Sequence, residues 1–318
     1  MPTTNLITPE KMFESLVAKN SNFIDHKPTV DVVINIYGKP WNTAVTLFSL
    51  LKYSGQWIDK IYFITERKQP HDSNFDFITL ALGNKIVPYT PGFWLWVRPF
   101  RNKLVFSLPG FRKSVRYQFG WEQTDKNFLF VTHNDVLYTG DIIGSMLHGV
   151  GNNIGIGPVG QCWNCSANFA GLCSPDRYTE YKPGYNELIN LLKQYPGSRQ
   201  KDYGKLPKKN RHWPLPECRL NEWTALINMK IARKATMPVG KAIPFGAFYE
   251  LDIATRWFSD VLNMGHTVSN FDISPYAQHA WAGNLRSGHA ALFDVDEYTY
   301  SEKTAKAYLE NEYSKMSA

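Results

Sequence analysis

The chain has 318 residues, of which 43% are hydrophobic and 20% charged, so it can bury a sizeable core and is neither a disordered segment nor a coiled coil. Its formal net charge of +7 favours anionic partners, a class that includes nucleotides, nucleic acid and acidic lipid. The first twenty residues contain no apolar signal-peptide core, and the sequence has no run of about 18 apolar residues. We therefore expect a cytoplasmic protein that is at most peripherally bound to a membrane, at its inner face.

The first half of the sequence alternates between helical and strand patterns. Continuous β-branched or apolar runs predict buried strands, and amphipathic stretches with caps such as Thr8 and Asn42 predict helices. The predicted helices cover residues 9–19, 42–57 and 112–124, and the predicted strands cover 30–38, 59–66, 84–90 and 127–133. This order is typical of parallel β units with right-handed crossovers.

A polar triplet, His133, Asn134 and Asp135, follows the strand predicted at 127–133. Open α/β sheets bind their ligands at the carboxyl ends of the strands, so Asp135 stands where a ligand would be held. Asn and Asp also close turns without any ligand, and that reading stays open for this triplet. Because the triplet follows a predicted strand in an alternating strand-and-helix pattern, we favour the reading in which it binds a phosphate or a metal ion.

The order of these segments resembles the nucleotide-sugar-binding half of GT-A glycosyltransferases, most closely the family-2-like members. "VDVVINIYGKPWNTAVTLFSLLKYS" and "DKIYFITE" match the first two strands, Arg116 and Gly120 match the helix that follows, and the triplet stands at the family's Asp-x-Asp position. The resemblance covers residues 28–145 in order and extends more loosely to about 285. His133 replaces the first acid of the motif, which leaves Asp135 as its only carboxylate.

The resemblance implies an α/β, GT-A-like (Rossmann-like) fold in which helices flank a mostly parallel twisted sheet. It implies an enzyme that transfers a sugar from a nucleotide-sugar donor to a saccharide or lipid-linked hydroxyl, as in polysaccharide biosynthesis. We expect no nucleic-acid partner. The implied domains are an N-terminal helical extension (1–27), a catalytic domain (28–290) with a nucleotide-sugar half (28–145) and an acceptor half (146–290), and a C-terminal helical tail (291–318).

The resemblance also implies which residues hold the donor and its cation. Mn²⁺ or Mg²⁺ would be bound by Asp135, with His133 and the C-terminal His279 as further ligands; His289 is the reserve for His279. Imidazole ligands favour Mn²⁺ or a later metal over Mg²⁺. The alternative for His279 is a structural role, either packed against Trp281 or donating a hydrogen bond to a backbone carbonyl. The implied nucleotide-sugar contacts are Tyr37, Glu66, Arg116, Asn134, Asp135 and Arg286.

An inverting transfer requires a carboxylate that accepts the proton of the attacking hydroxyl. In family-2-like enzymes this acid lies at the start of a helix, and the segment "PLPECRLNEWTALINMKIARK" supplies Glu217 and Glu222 before a helix predicted over 220–230. We choose Glu222 as the base, with Glu217 second. Carboxylates also favour helix starts for electrostatic reasons alone, and a retaining mechanism would need no such base.

Three of the four cysteines, Cys162, Cys165 and Cys173, lie within twelve residues, and Cys218 follows later. A Cys-x-x-Cys turn with two further thiolates can hold a structural Zn²⁺, whereas four buried free thiols are the alternative. The Gly-rich segment "GNNIGIGPVG" lacks the pattern of a dinucleotide or Walker loop and predicts a tight strand and turn.

Two other functions remain open from the sequence. A nucleotidyltransferase would need a basic Gly-rich loop after the first strand, and "YGKPWNT" is a poor match. A non-catalytic glycan- or nucleic-acid-binding module could use the aromatic and basic segment at residues 91–117, which contains Trp94, Trp96, Arg98 and Arg101. This segment also suits contact with an anionic membrane, although packing of its rings in the core is somewhat favoured.

Overall fold

The computed structural model describes residues 7–20, 29–71, 73–95, 100, 102–249, 251–283 and 294–317. The chain divides into two compact units. Unit 1 consists of Met1–Pro91, Thr132–Ser145 and Ile273–Ala318, and unit 2 consists of Gly92–Val131 and Met146–Asp272.

Unit 1 contains three parallel strands, a two-stranded antiparallel sheet and four helices among its described residues. Its strands are β1 (Val30–Ile36), β2 (Ile58–Thr65), β3 (Ile86–Tyr89), β5 (Val136–Tyr138) and β11 (Ala277–His279). Its helices are α1 (Pro9–Asn20), α2 (Pro40–Ser54), α3 (Asp76–Leu82) and α12 (Val295–Ser317). β1 pairs in parallel with β2, and β2 with β3, so all three strands end at the same edge.

The first strand and the helix after it form the core of unit 1. Val32, Val33 and Ile34 in β1 have no exposed surface, as expected of a central parallel strand. α2 begins at Pro40, whose fixed φ suits the first helical position, and it ends before Gly55. The predicted helix is therefore confirmed, although it begins two residues before the expected cap Asn42.

The two-stranded antiparallel sheet of β5 and β11 brings the polar triplet and the segment with His279 together. The strands are antiparallel, and His279 is the register partner of Val136. The backbone N–H of Ala280 donates a hydrogen bond to the carbonyl of Asp135 (2.9 Å). This pairing fixes His279 beside the polar triplet, although 144 residues separate His279 from Asp135 in the sequence.

Unit 2 is built from shorter elements. Its strands are β4 (Phe128–Thr132, whose last residue belongs to unit 1), β6 (Gly155–Gly157), β7 (Thr224–Asn228), β8 (Phe248–Tyr249), β9 (Asp252–Ile253) and β10 (Val268–Asn270). Its helices are α4 (Pro109–Arg112), α5 (Gln118–Gln123), α7 (Ser166–Phe169), α8 (Tyr185–Gln194), α9 (Gln200–Tyr203), α10 (Met229–Ala235) and α11 (Thr255–Asn263), and α6 (Ile142–Gly149) runs from unit 1 into unit 2.

Seven of the described strands share one sheet, in the order β10-β6-β7-β4-β1-β2-β3. The β1–β2, β2–β3 and β6–β10 pairs are parallel, whereas β6 and β7 are antiparallel. The predicted α/β fold, with helices flanking a mostly parallel sheet, is confirmed. The four strands predicted from the first half of the sequence correspond to β1, β2, β3 and β4.

Two predicted helices are wrong. The stretch 112–124 is interrupted, because α4 ends at Arg112 and α5 begins only at Gln118, after Tyr117 adopts a left-handed conformation (φ 65°). Arg116 therefore lies outside any helix and forms a β-bridge with Gly246. The stretch 220–230 contains the fully buried strand β7, because burial against β6 overrides a weak helical preference.

Candidate functional site

His133, Asp135 and His279 converge in unit 1. Nδ1 of His133 lies 3.3 Å from Nε2 of His279, and Oδ1 of Asp135 lies 3.3 Å from the same Nε2 and 3.9 Å from Nδ1 of His133. One ligand atom from each residue lies within 4.8 Å of the other two. Two imidazoles and one carboxylate so arranged can bind a divalent transition metal and leave coordination positions open for a ligand.

Hydrogen bonds to neighbouring elements fix the triplet at the end of β4. The hydroxyls of Thr132 and Tyr138 are 2.7 Å apart, and the backbone N–H of Val136 donates to Oγ1 of Thr46 on α2 (3.0 Å). The side-chain amide of Asn134 donates to the carbonyl of Gly38 (3.0 Å) and to Thr43 (3.2 Å). Asn134 thus ties the triplet to the loop after β1, as a turn-closing residue does.

Lys39 completes the site, and sequence reasoning missed it. Its side chain is 1% exposed, and its ammonium lies 2.7 Å from Oδ2 of Asp135. Its backbone is left-handed (φ 60°, ψ 55°), a conformation that costs a non-glycine residue about 1 kcal/mol and is often found at functional sites. The one signal in the sequence is a lysine between Gly38 and Pro40, directly after the first strand.

The charge state of Asp135 follows from these neighbours. Burial alone would raise the pKa of its carboxyl group, but Lys39, His279 and His133 outweigh burial and hold the pKa well below its ordinary value. Asp135 is therefore ionised at neutral pH. Its Oδ1 is buried and accepts no hydrogen bond of good geometry, whereas Oδ2 is held by Lys39.

The N-terminus of α2 is already occupied by a carboxylate. The backbone N–H groups of Trp41 and Asn42 donate to Glu302 of α12 at 2.9 and 3.1 Å. Burial raises the pKa of Glu302, against the opposing effects of these hydrogen bonds and of Lys39. In this arrangement the helix terminus offers no free donors to an anion, so an anion bound beside Asp135 would depend on Lys39 and on a cation.

Glu66 and Tyr37, two further residues predicted to contact the nucleotide sugar, lie at the same edge, where β1 and β2 end. Oε1 of Glu66 accepts a hydrogen bond from Asn35 (2.9 Å), and burial together with Glu66 raises the pKa of Tyr37. Gln69, also missed from the sequence, links the two strand ends, since its amide donates to the carbonyls of Ile36 and Glu66 at 3.1 and 2.7 Å.

The remaining predicted site residues are Arg116, Glu217, Glu222, Arg286 and the reserve His289. Arg116, Glu217 and Glu222 belong to unit 2, and Arg286 and the reserve His289 lie outside the described residues. Oε2 of Glu222 lies 3.3 Å from the guanidinium of Arg219, which also lies 3.2 Å from Asp252. Glu217 is 3% exposed, and burial raises its pKa to about 7.

The predicted aromatic and basic segment is only partly described, because Trp96, Arg98 and Arg101 are outside the described residues. The rings of Phe100, Phe106 and Phe111 pack together with centroids 5.4 to 6.3 Å apart. This packing fits the reading in which such rings belong to the core. None of the helices in the described part of the chain combines the length and apolar character needed to cross a bilayer.

No protein-family model and no curated protein sequence matches the chain. Among solved structures, it is similar to the mannosyltransferase Ktr4p from S. cerevisiae (10% identity, 88% of this chain and 82% of that chain, TM-score 0.41). It is also similar to glucosyl-3-phosphoglycerate synthase from Mycobacterium tuberculosis, solved in complex with Mn²⁺, UDP-glucose and phosphoglyceric acid. The identity is 11% over 99% of this chain and 85% of that chain, with a TM-score of 0.42.

Mouse xyloside xylosyltransferase 1 is similar at 11% identity, over 77% of this chain and 86% of that chain, with a TM-score of 0.42. These structures are glycosyltransferases, the class that the sequence resembles. At such TM-scores the similarity assigns neither a function nor a residue role to the chain.

Proposed function

We propose that the protein is a glycosyltransferase that uses a nucleotide-sugar donor and a divalent cation held by His133, Asp135 and His279. The observation that carries this proposal is the convergence of these three side chains beside the buried Lys39 at the carboxyl end of the strands. Transfer of a sugar leaves a nucleoside diphosphate on which negative charge builds up. Fixed positive charge at that point stabilises the transition state.

The residues present fit a cation of mixed nitrogen and oxygen preference. Asp135 offers Oδ1, while Lys39 fixes the carboxylate through Oδ2, as an outer-shell partner orients a metal ligand. Imidazole ligands suit Mn²⁺ better than Mg²⁺, which prefers oxygen. When bound, the cation would supply Lewis-acid stabilisation of the diphosphate oxygens.

Lys39 sets the electrostatic balance of this site. Its ammonium neutralises the charge of Asp135, the one carboxylate among the three candidate ligands, and repels a second cation. The diphosphate of the donor would restore the missing negative charge. We therefore propose that cation and nucleotide bind together, each tightening the binding of the other.

A cleft in unit 1 has room for the nucleoside. Its volume is about 340 Å³, within the range of ligand pockets, and its lining includes Pro40, Trp41, His71, Phe77 and Tyr298. Tyr298 is also the residue whose hydroxyl accepts the backbone N–H of Lys39 (3.1 Å). Aromatic walls next to a diphosphate-binding lysine suit a nucleobase, which we place there as part of the proposal.

For the acceptor, we propose a saccharide or lipid-linked hydroxyl that loses its proton to Glu222 in an inverting reaction. Glu222 forms an ion pair with Arg219, whose guanidinium lies 3.3 Å from Oε2, so its carboxylate is held in a fixed orientation. Arg219 is fixed in turn by Asn221 (2.8 Å) and by the carbonyl of Ile253 (3.2 Å). Arg219 would thus act as a positioning residue.

Incubation with a panel of nucleotide sugars and Mn²⁺, followed by detection of released nucleoside diphosphate, tests the proposal. Release from one nucleotide class, lost on chelation and in Asp135→Asn, is the expected result. If no donor is turned over and the protein binds glycans regardless of chelator, it is a binding module and the proposal fails.

A further inference from the structure

All four cysteines of the chain line one small cavity in unit 2, together with Glu217. The cavity has a volume of about 10 Å³, which is room for a single ion or water molecule. Cys165, Cys173 and Cys218 are buried, and Cys162 is half-buried. None of them forms a disulfide, so four thiols remain available as ligands.

Backbone hydrogen bonds hold the contributing segments together. The N–H groups of Gly160 and Gln161 donate to the carbonyls of Arg219 and Glu217 at 2.7 and 3.0 Å, which fixes the segment before Cys162 against the segment that carries Cys218. The Cys-x-x-Cys turn is closed by a hydrogen bond from Cys165 to the carbonyl of Cys162 (3.2 Å).

Hydrogen bonds also hold the segment that contains Cys173. The backbone N–H of Cys173 donates to the carbonyl of Ala167 (3.2 Å), and the amide of Asn168 donates to the carbonyl of Cys173 (3.1 Å). The turn with Cys162 and Cys165, the nearby Cys173 and the segment with Cys218, 45 residues further along the chain, thus converge around one space.

Glu217 gives an independent sign of a ligand. It is 97% buried, it lines the cavity, and its Oε1 has no hydrogen-bond partner among the described residues. A buried carboxyl oxygen left without a partner costs free energy, and native proteins rarely tolerate this without a proton, a water molecule or an ion. Thiols alone do not satisfy it, since S–H is a weak donor.

We propose that this cluster binds one thiophilic divalent cation, with Zn²⁺ as the natural occupant, through the cysteine sulfurs and with Glu217 beside it. Each coordinating thiol loses its proton to solvent, so that four thiolates would give the cation a tetrahedral sulfur environment. Glu217 would keep its proton and donate it in a hydrogen bond to one of these sulfurs, which satisfies the carboxyl oxygen that otherwise has no partner. The cation would tie together the three segments named above, which makes the site structural.

The thiols must move to form this site. Among the described residues, no three of the sulfurs, and no two with a Glu217 oxygen, all lie within 4.8 Å of one another. A Zn–S bond of about 2.3 Å places tetrahedral sulfurs about 3.8 Å apart. Rotation of cysteine side chains between staggered rotamers, without rearrangement of the backbone, is the change that we expect on binding.

Cobalt substitution provides the test. Because the cluster contains every cysteine of the chain, any thiolate-to-cobalt charge-transfer absorption must arise here; His133, Asp135 and His279 contain no thiol. Chelator-treated, reduced protein titrated with Co²⁺ should develop this absorption up to one equivalent, and one equivalent of Zn²⁺ should abolish it. Asp135→Asn should retain the absorption, and Cys165→Ser should lose it.

A count of reactive thiols on the wild-type protein keeps the test decisive where a variant fails to fold. Zn²⁺ should protect the thiols that react in its absence. Absence of the charge-transfer absorption, or equal thiol reactivity with and without Zn²⁺, overturns the proposal. The result is independent of the proposed glycosyl transfer, since nucleotide-dependent Mn²⁺ binding at Asp135 is measured separately.

Discussion

The ammonium of Lys39 lies 2.7 Å from a carboxylate oxygen of Asp135, and both side chains are buried (1% and 8% exposed). Removing a buried ion pair from water can cost more free energy than the attraction between its charges returns. Apolar side chains at both positions would therefore make the fold at least equally stable. The second oxygen of Asp135 faces His133 and His279. The arrangement is therefore explained by ligand binding better than by stability.

Lys39→Met should tighten the binding of Mn²⁺ in the absence of nucleotide by about tenfold or more, because a repelling charge a few ångströms away is removed. The same variant should lose much of the mutual enhancement between Mn²⁺ and nucleoside diphosphate. Electron paramagnetic resonance of free Mn²⁺ measures both quantities. Lys60→Met, at an exposed lysine of unit 1, is the control. Unchanged Mn²⁺ affinity in Lys39→Met would refute the electrostatic role of Lys39.

Asp135→Asn should abolish Mn²⁺-dependent nucleotide binding and also lower the free energy of unfolding by about 3–5 kcal/mol, since Lys39 is left buried and unpaired. The double variant Lys39→Met/Asp135→Leu should regain most of this stability and still bind no nucleotide. Chemical denaturation and calorimetric titration separate the two effects. Asp125→Asn, at a side chain 80% exposed, controls for the substitution. Nucleotide binding by the double variant would contradict the assignment.

His279→Asp should reduce the preference for Mn²⁺ over Mg²⁺, because an oxygen ligand replaces an imidazole. His279 is 35% exposed, so the fold should tolerate this change. Competition by Mg²⁺ for the Mn²⁺ bound in the presence of nucleoside diphosphate gives the ratio of affinities. If the ratio is the same in both proteins, His279 is not a ligand.

Glu217→Gln should remove a pH dependence of stability from the chelator-treated protein. Burial raises the pKa of Glu217 from 4.5 to about 7. Between these two pH values the native state therefore keeps a proton on Glu217 that the unfolded state has lost. The free energy of unfolding of wild type should therefore fall by about 3 kcal/mol as pH rises through this window, and stay level above it. The neighbouring thiols are neutral there, since burial raises the pKa of Cys162 to about 11 and of Cys165 to about 12.

The difference between wild type and Glu217→Gln isolates this contribution from other titrating groups. Urea denaturation at pH 4.5, 5.5, 6.5 and 8 measures it, with Glu14→Gln, at an exposed glutamate, as the control. At pH 8 the Glu217→Gln variant should be the more stable protein. Parallel pH profiles for the two proteins would show that Glu217 titrates normally.

Glu222→Gln should lower kcat by a factor of about 10²–10⁴, the usual contribution of a general base, and leave Mn²⁺-dependent nucleotide binding unchanged. Single-turnover rates and calorimetric titration on the same preparation test both statements. Glu180→Gln, at a glutamate 61% exposed, is the matched control. Activity within a few-fold of wild type would remove Glu222 as the base and leave either Glu217 in that role or a retaining mechanism.

The parallel strands were predictable because segments rich in β-branched and aromatic residues favour buried strands, and Val30–Ile36 and Ile58–Thr65 are such segments. Asp135 was predictable because it follows one of these strands. Strand β7 was not, since Thr224–Asn228 has no strong local preference and pairs with β6, about 70 residues away in the sequence.

The role of Lys39 also could not be deduced from spacing. It depends on a left-handed backbone after Gly38 and on a contact with a residue 96 positions later. The pairing of His279 with Val136 is similarly non-local, so only the resemblance indicated that histidine. Local pattern thus located the strand ends, whereas the charge balance of the site is a product of tertiary structure.

Calorimetric titration of Mn²⁺ into the protein, with and without each of UDP, GDP, CDP and dTDP, tests the central claim most directly. The proposed site predicts weak Mn²⁺ binding alone and at least tenfold tighter binding with one nucleoside diphosphate, both lost in Asp135→Asn. Mn²⁺ affinity that no nucleotide changes, or that survives in Asp135→Asn, would contradict a donor site at His133, Asp135 and His279.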